Sequence, residues 1–321
     1  DMMQMKMRFF TEVSHEFRTP LTLISHAINE IAEDEDICTN KYVNIIKHNT
    51  GKLSNMVNEL LDFHRVEVKS AQLRTTYTSI PEYVSDIYEE FKGWAEASDI
   101  HVNLQIDNPE IGMWIDPEHF GKILSNILSN SIRYSHAGSE INIQVAKGYV
   151  NDIVPRYKDS FWNTKDMIPG EQAIIRVSDT GIGMEKAVLP TIFKRFHQVQ
   201  NNTGKQHTGS GIGLSLVKSL IELHHGGIII SSKPDAGTEV IIALPISDTY
   251  LAKEEKIEES TFVLKDYLSN YAVEYEPLEI EETTAIYMEG KPTILLVDDN
   301  HEILMIVREN FVKDYNIIKA I

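Results

Sequence analysis

Near the start of the chain, Ser14-His15-Glu16-Phe17-Arg18-Thr19-Pro20 gathers an imidazole, a carboxylate and a hydroxyl into little more than one helical turn. At about 100° per residue, His15 lies about 160° from the apolar Val13 and Phe17, so it faces away from the buried stripe. Thr19, four residues on, shares its face, and Glu16 is its neighbour. An imidazole is a competent nucleophile once its proton has an acceptor. Glu16 can take that proton through one ring nitrogen while the other attacks. Pro20 should kink the helix just beyond this site. Standing alone, such a residue is an ordinary exposed histidine. Three further groups of residues, more than a hundred positions along the chain, give it weight.

Asn126 and Asn130 recur at i, i+4 in a helical segment, where asparagine is a poor helix former. Amide oxygens are hard ligands of the kind that suits Mg²⁺ beside nucleotide phosphates. Asp179-Thr-Gly-Ile-Gly183 then ends a strand in a tight, glycine-lined turn, which by itself is a weak signal. Gly209-Ser-Gly-Ile-Gly213-Leu214 opens a helix, whose free N–H groups and dipole attract phosphate oxygens. The spacing fits neither the lysine-bearing P-loop nor the dinucleotide fingerprint. Together these residues read as a device that moves the γ-phosphoryl group of ATP onto a histidine.

This set resembles the sensor histidine kinases of two-component signalling, over residues 1 to about 248. The resemblance implies that His15 accepts the phosphoryl group, that Glu16 assists, and that Thr19 positions a water for the reverse reaction on a partner. It makes Asn130 the metal ligand and Asn126 its companion. It puts Arg133 near the phosphates, Tyr134 near the base, and Asp179, with Gly181 and Gly183, at the adenine amino group. Ile192-Phe-Lys-Arg-Phe196 matches the family's phenylalanine box, so Lys194 and Arg195 become candidates to steady the γ-phosphate. Gly209, Gly211, Gly213 and Leu214 would line the phosphates, and Gly237-Thr238 would close the pocket floor. ATP and Mg²⁺ are the implied cofactors. From Lys291 a second resemblance begins, to a response-regulator receiver domain cut short at residue 321. There an apolar strand ends in Asp298-Asp299, the carboxylate pair with which receivers hold Mg²⁺.

The elements must position these groups. Phe10, Val13, Phe17, Leu21, Ile24, Ile28 and Ile31 form a helical seam. A second periodic segment spans roughly 40–68. Two such helices form a hairpin that cannot enclose a core alone, so two chains are expected to pair into a four-helix bundle. From about residue 73, strand-like runs alternate with helices at about 81–98, 117–135 and 213–225, an α/β layer arrangement. Asp116 and Pro117 mark the start of the second of these helices. His224 and His225 read as favourable charge at the end of the third. Residues 148–171 form a connection too long for a simple hairpin, with Tyr149, Tyr157, Phe161 and Trp162 available to pack on something.

The expected organisation is therefore multidomain. Residues 1–70 form an all-α dimerisation and phosphotransfer hairpin. Residues 71–248 form an α/β sandwich that binds ATP, 249–290 an acidic linker, and 291–321 the start of a doubly wound α/β receiver. The net charge of −18, with 11 acids and 3 lysines in 251–290, argues against a nucleic-acid partner. A single cysteine excludes an internal disulfide. No apolar run approaches the roughly 20 residues of a membrane helix. The chain is expected to be the cytoplasmic portion of an inner-membrane sensor, joined to the membrane only through a preceding sensor region. A homodimer and a receiver domain, fused or separate, are the expected partners. Rival readings are an ATPase of the same superfamily, a nucleotide-binding scaffold and a dedicated phosphatase. The histidine motif discriminates against the first, and acid-labile phosphate on His15 would exclude the second.

Overall fold

The computed structural model describes residues 17, 20–25, 27, 28, 31, 39–67, 72–165, 167–194, 213–258, 262–265, 268, 290–297, 304, 307, 308, 311, 312 and 314–320. They fall into two compact units, one holding residues up to Leu53 and those from 290 onward, the other residues 54–194 and 213–268.

In the first unit, helix α1 is seen at residues 17, 20–25, 27, 28 and 31, together with the part of α2 (Thr39–Glu67) up to Leu53, and the rest of α2 belongs to the second unit. The hairpin core is Leu23, Ala27, Tyr42 and Ile45, with Ile31 and Ile46 against it. Ile31 of the expected seam joins this core. Leu21 and Ile28 are 52% and 51% exposed, because the face that meets α2 is the one carrying residues 23 and 27. The same unit contains a βαβ segment. Strand β9 (Thr293–Val297) pairs in parallel with β10 (Asn316–Ala320), and residues 304, 307, 308 and 311 between them are helical. Parallel pairing through a helical crossover is how a doubly wound sheet begins.

The second unit is a two-layer α/β sandwich. A six-stranded sheet runs in the order β2 (His101–Ile106), β4 (Glu140–Gly148), β6 (Gln172–Asp179), β8 (Gly237–Pro245), β7 (Gly227–Lys233), β5 (Ser160–Asn163). Only β2 and β4 are parallel. Helices α3 (Ile80–Ala97), α4 (Pro117–Arg133) and α5 (Gly213–Leu223) supply the apolar layer, with Phe120, Ile123, Leu124, Ile127, Leu216 and Leu220 buried with Ile141, Ile143, Ile175 and Ile242. A separate antiparallel pair, β1 (Thr76–Ser79) with β3 (Gly112–Ile115), lies outside that sheet. Strands β3 and β5, four residues each, are not among the strand-like runs of the sequence.

Asp116 caps α4 as expected. Its carboxylate accepts the N–H groups of Glu118 and His119 at 3.1 Å each, and that of Arg74 at 2.9 Å. Helix α5 closes on His225 in the left-handed conformation (φ 53°), with Gly226 N–H bonded to Ile221 O and His225 N–H to Glu222 O, a Schellman closure. His224 is not a solvated charge at the helix end but is 1% exposed.

The long connection between β4 and β6 crosses the sheet's outer face. Ile153, with Val150 beside it, packs on Ile174, Ile229 and Ile241, and the chain then adds β5 to the free edge of β7. The aliphatic residues make this contact. Of the four aromatics, Tyr149 and Trp162 are 53% and 40% exposed.

The acidic segment after residue 248 was expected to run as a solvated linker, yet its described part is attached. Thr75 exchanges backbone hydrogen bonds with Glu255 and Ile257 at 2.6 and 2.9 Å. Phe262 and Leu264 lie over Gly121 of α4, and Leu268 is buried.

Candidate functional site

Six of the expected site residues, His15, Glu16, Thr19, Arg195, Gly209 and Gly211, lie outside the described residues, as do Asp298 and Asp299. The remaining ones come from the last turns of α4, the loop after β6, the start of β8 and the first turn of α5.

Asp179 ends β6 and is 6% exposed. Its Oδ1 accepts the Gly181 N–H at 2.9 Å and the Thr238 N–H at 3.0 Å. Burial pushes its carboxyl above the usual aspartate range, and those two amides, with the Ser131 hydroxyl, pull it part of the way back. A buried acceptor of this kind is costly unless donors meet it, so the loop is shaped around the carboxylate. The turn after it has no room for side chains. A Cβ on Gly181 would overlap the Tyr134 carbonyl, and one on Gly183 (φ 63°) the Lys233 carbonyl. The Ile182 N–H bonds to Tyr134 O at 3.0 Å, tying this turn to the C-cap of α4.

Ser232 closes the other side. Its hydroxyl donates to Gly237 O at 2.9 Å, accepts the Met184 N–H at 2.8 Å, and lies 2.9 Å from Thr238 Oγ1. Asn126 is buried on α4. Its Nδ2 donates to Lys122 O at 3.0 Å, which turns Oδ1 toward α5, so close to Gly213 that a Cβ there would overlap it. Asn130, one turn further, is half-buried, as are Arg133, Tyr134, Gly213 and Leu214. Lys194 is exposed at the end of the segment that carries the buried Ile192 and Phe193. Asn126 is thus brought against Gly213, and Asp179 against Gly181, Thr238 and the Tyr134 segment.

Ser131 and Ser232 went unnoticed in the sequence. Serine is common, and only the fold turns these two hydroxyls toward Asp179 and the β8 glycine.

Two family models match the chain. The histidine kinase-, DNA gyrase B- and HSP90-like ATPase family matches residues 115–248, and the His Kinase A phospho-acceptor domain matches residues 5–68. The chain belongs to the sensor histidine kinases. It is 29% identical over 326 residues to histidine kinase P4 of Formosa agariphila, covering 99% of this chain and 22% of that protein. It is 27% identical over 324 residues to the sensor histidine kinase TmoS of Ectopseudomonas mendocina, covering 98% of this chain and 31% of that one. This histidine kinase chain therefore spans under a third of the length of either relative. Among solved structures, the Acinetobacter baumannii histidine kinase AdeS shares the fold at a TM-score of 0.52 and 20% identity, over 73% of this chain and 98% of that one.

Proposed function

We propose that the whole protein is a dimeric, ATP-dependent protein-histidine kinase that phosphorylates His15 and passes the group to an aspartate of a receiver domain. The observation that carries this reading is the buried Asp179 carboxylate, held by the amides of Gly181 and Thr238, in the ATPase-family part of a chain that also matches a phospho-acceptor domain.

The adenine amino group donates to Asp179, and the tight glycine turn lets the base approach the backbone. The Tyr134 ring covers the base. Arg133, Lys194 and Arg195 meet the phosphates, together with the amides of Gly209, Gly211, Gly213 and Leu214. Asn126 orients this end of α5, and Asn130 supplies an amide oxygen to Mg²⁺. That ion, when bound, neutralises charge on the β- and γ-phosphates. One ring nitrogen of His15 forms a bond to the γ-phosphorus as the bond to the bridging oxygen breaks and ADP leaves. Glu16 takes the proton from the other nitrogen. Thr19 serves the reverse hydrolysis. Little covalent chemistry is asked of the protein beyond positioning and charge neutralisation.

The βαβ unit of β9 and β10 supports a fused receiver, in which Asp298 and Asp299 hold its metal ion. The kinase portion works on the cytoplasmic side of an inner membrane. No helix among the described residues is long and apolar enough to cross a membrane.

The test is incubation with γ-labelled ATP. Wild type gains acid-labile, base-stable label, and His15→Gln loses it while still binding ATP. Label that persists on His15→Gln would refute the assignment.

A further inference from the structure

We propose that strand β5, contributed by the 148–171 connection, is a positioning element for the nucleotide site, acting through Phe161 on the segment that carries Lys194. The inference rests on the ATP-site reading above.

The chain leaves β4, crosses the outer face on Ile153, and pairs Ser160–Asn163 with Ser231–Ile228. Alternation along that strand sends Phe161 and Trp162 to opposite faces. Trp162 is 40% exposed, with its indole N–H bonded to Ser160 Oγ at 3.0 Å. Phe161 instead meets Phe193, with ring centroids 5.6 Å apart and planes tilted by 34°. Phe193 is 7% exposed and directly precedes Lys194. A second tie joins the same two segments, since Asp159 is 3.3 Å from Lys186. At its other end, the Asp159 carbonyl accepts the Ser232 N–H at 3.2 Å, and Ser232 is the residue whose hydroxyl holds Met184 and Gly237. The connection thus braces both ends of residues 184–194, at Met184 through Ser232 and at Phe193 through Phe161. Phe161 touches no reacting group. It sets where Lys194 stands, so its effect falls on the γ-phosphate and not on the base.

The experiment measures ATP and ADP affinity and the KM for ATP in the full chain, for Phe161→Ala, Phe161→Leu, Trp162→Ala and Asp179→Asn. Loss of one aromatic pair predicts that Phe161→Ala weakens ATP binding and raises KM about three- to tenfold, with ADP affinity unchanged. Phe161→Leu recovers most of the loss, and Trp162→Ala, on the opposite face, binds both nucleotides as wild type does. Equal loss of ATP and ADP in Phe161→Ala, or equal effects of the two aromatic substitutions, would overturn the inference in favour of a purely structural strand. Wild-type ATP binding in Phe161→Ala beside a defective Asp179→Asn would overturn it while leaving the pocket intact. Wild-type ATP binding in Asp179→Asn would overturn the pocket and this inference with it.

Discussion

At the scale of single residues, His224 has a measurable consequence. It lies between the end of α5 and the start of α4, with Nε2 accepting the Asp116 N–H at 3.3 Å and Nδ1 2.7 Å from the Leu220 carbonyl. Burial, aided by the His119 and His225 rings, drives its pKa down to about 4 against the opposing pull of the Leu220 carbonyl and Asp116. In the unfolded chain the same group binds its proton near pH 6.5. Between those values the unfolded state holds more protons. The stability due to neutral His224 is therefore complete above about pH 6.5 and falls as the pH drops toward 4. By pH 5 the loss amounts to about 2 kcal/mol. Urea unfolding at pH 7 and pH 5 should show this drop in wild type and a much flatter response in His224→Gln. Equal drops in both would mean that other groups carry the pH dependence. The sequence suggested a charged helix end here. It could not show that the Schellman turn at His225 swings the preceding ring inward against the capping aspartate.

At the scale of elements, the crossing from β4 to β5 decides how much of the sheet's outer face is dry. Ile153 is 6% exposed over Ile174, Ile229 and Ile241, whereas its neighbour Val154 is 77% exposed. Ile153→Ala should cost about 2–3 kcal/mol through lost burial and the space left behind. Val154→Ala should stay within about 0.5 kcal/mol. Denaturant midpoints of the two variants measure the difference, and a similar small effect in both would show that the crossing is not packed down. Nearby, Arg176 reaches Glu239 at 3.2 Å and the Val154 carbonyl at 3.2 Å, and Glu239 also accepts the Arg156 N–H at 2.7 Å. Polar groups on this face are thus satisfied by the same crossing that covers its aliphatic residues.

At the scale of the whole molecule, the hairpin helices expose apolar positions that their own core does not use. Leu21 and Ile28 on α1 are 52% and 51% exposed, and Val57 and Leu61 on α2 are 42% and 50% exposed. Residues 21 and 28 are seven apart, and 57 and 61 four apart, so each pair lies along one stripe. Such stripes fit pairing with a second copy through a four-helix bundle. Ile28→Glu or Leu61→Glu would bury an unpaired charge in that interface, weakening the dimer by about a hundredfold or more. Light scattering at micromolar concentration should give the dimer mass for wild type and the monomer mass for either variant. A monomeric wild type would contradict the assignment.

What the sequence determined by itself is local and periodic. The order of the two folded parts, the α4 cap at Asp116-Pro117, the three sandwich helices and five of the sheet strands arise from capping chemistry and from repeats of about 3.6 and 2 residues. The likeness to histidine kinases was legible in the same way, because a few side-chain types recur at set spacings. The tertiary structure decided what depends on contacts between residues far apart in the chain. It buried Asp179 behind amides from Gly181 and Thr238, the latter 59 residues away. It placed Ile153 on the back of the sheet and fastened the acidic segment to Thr75 across 180 residues. It also chose which of two neighbouring stripes on α1 became the hairpin core. Period alone cannot rank such alternatives, since both stripes are apolar at helical spacing. The choice falls to whichever face meets a partner surface that excludes water.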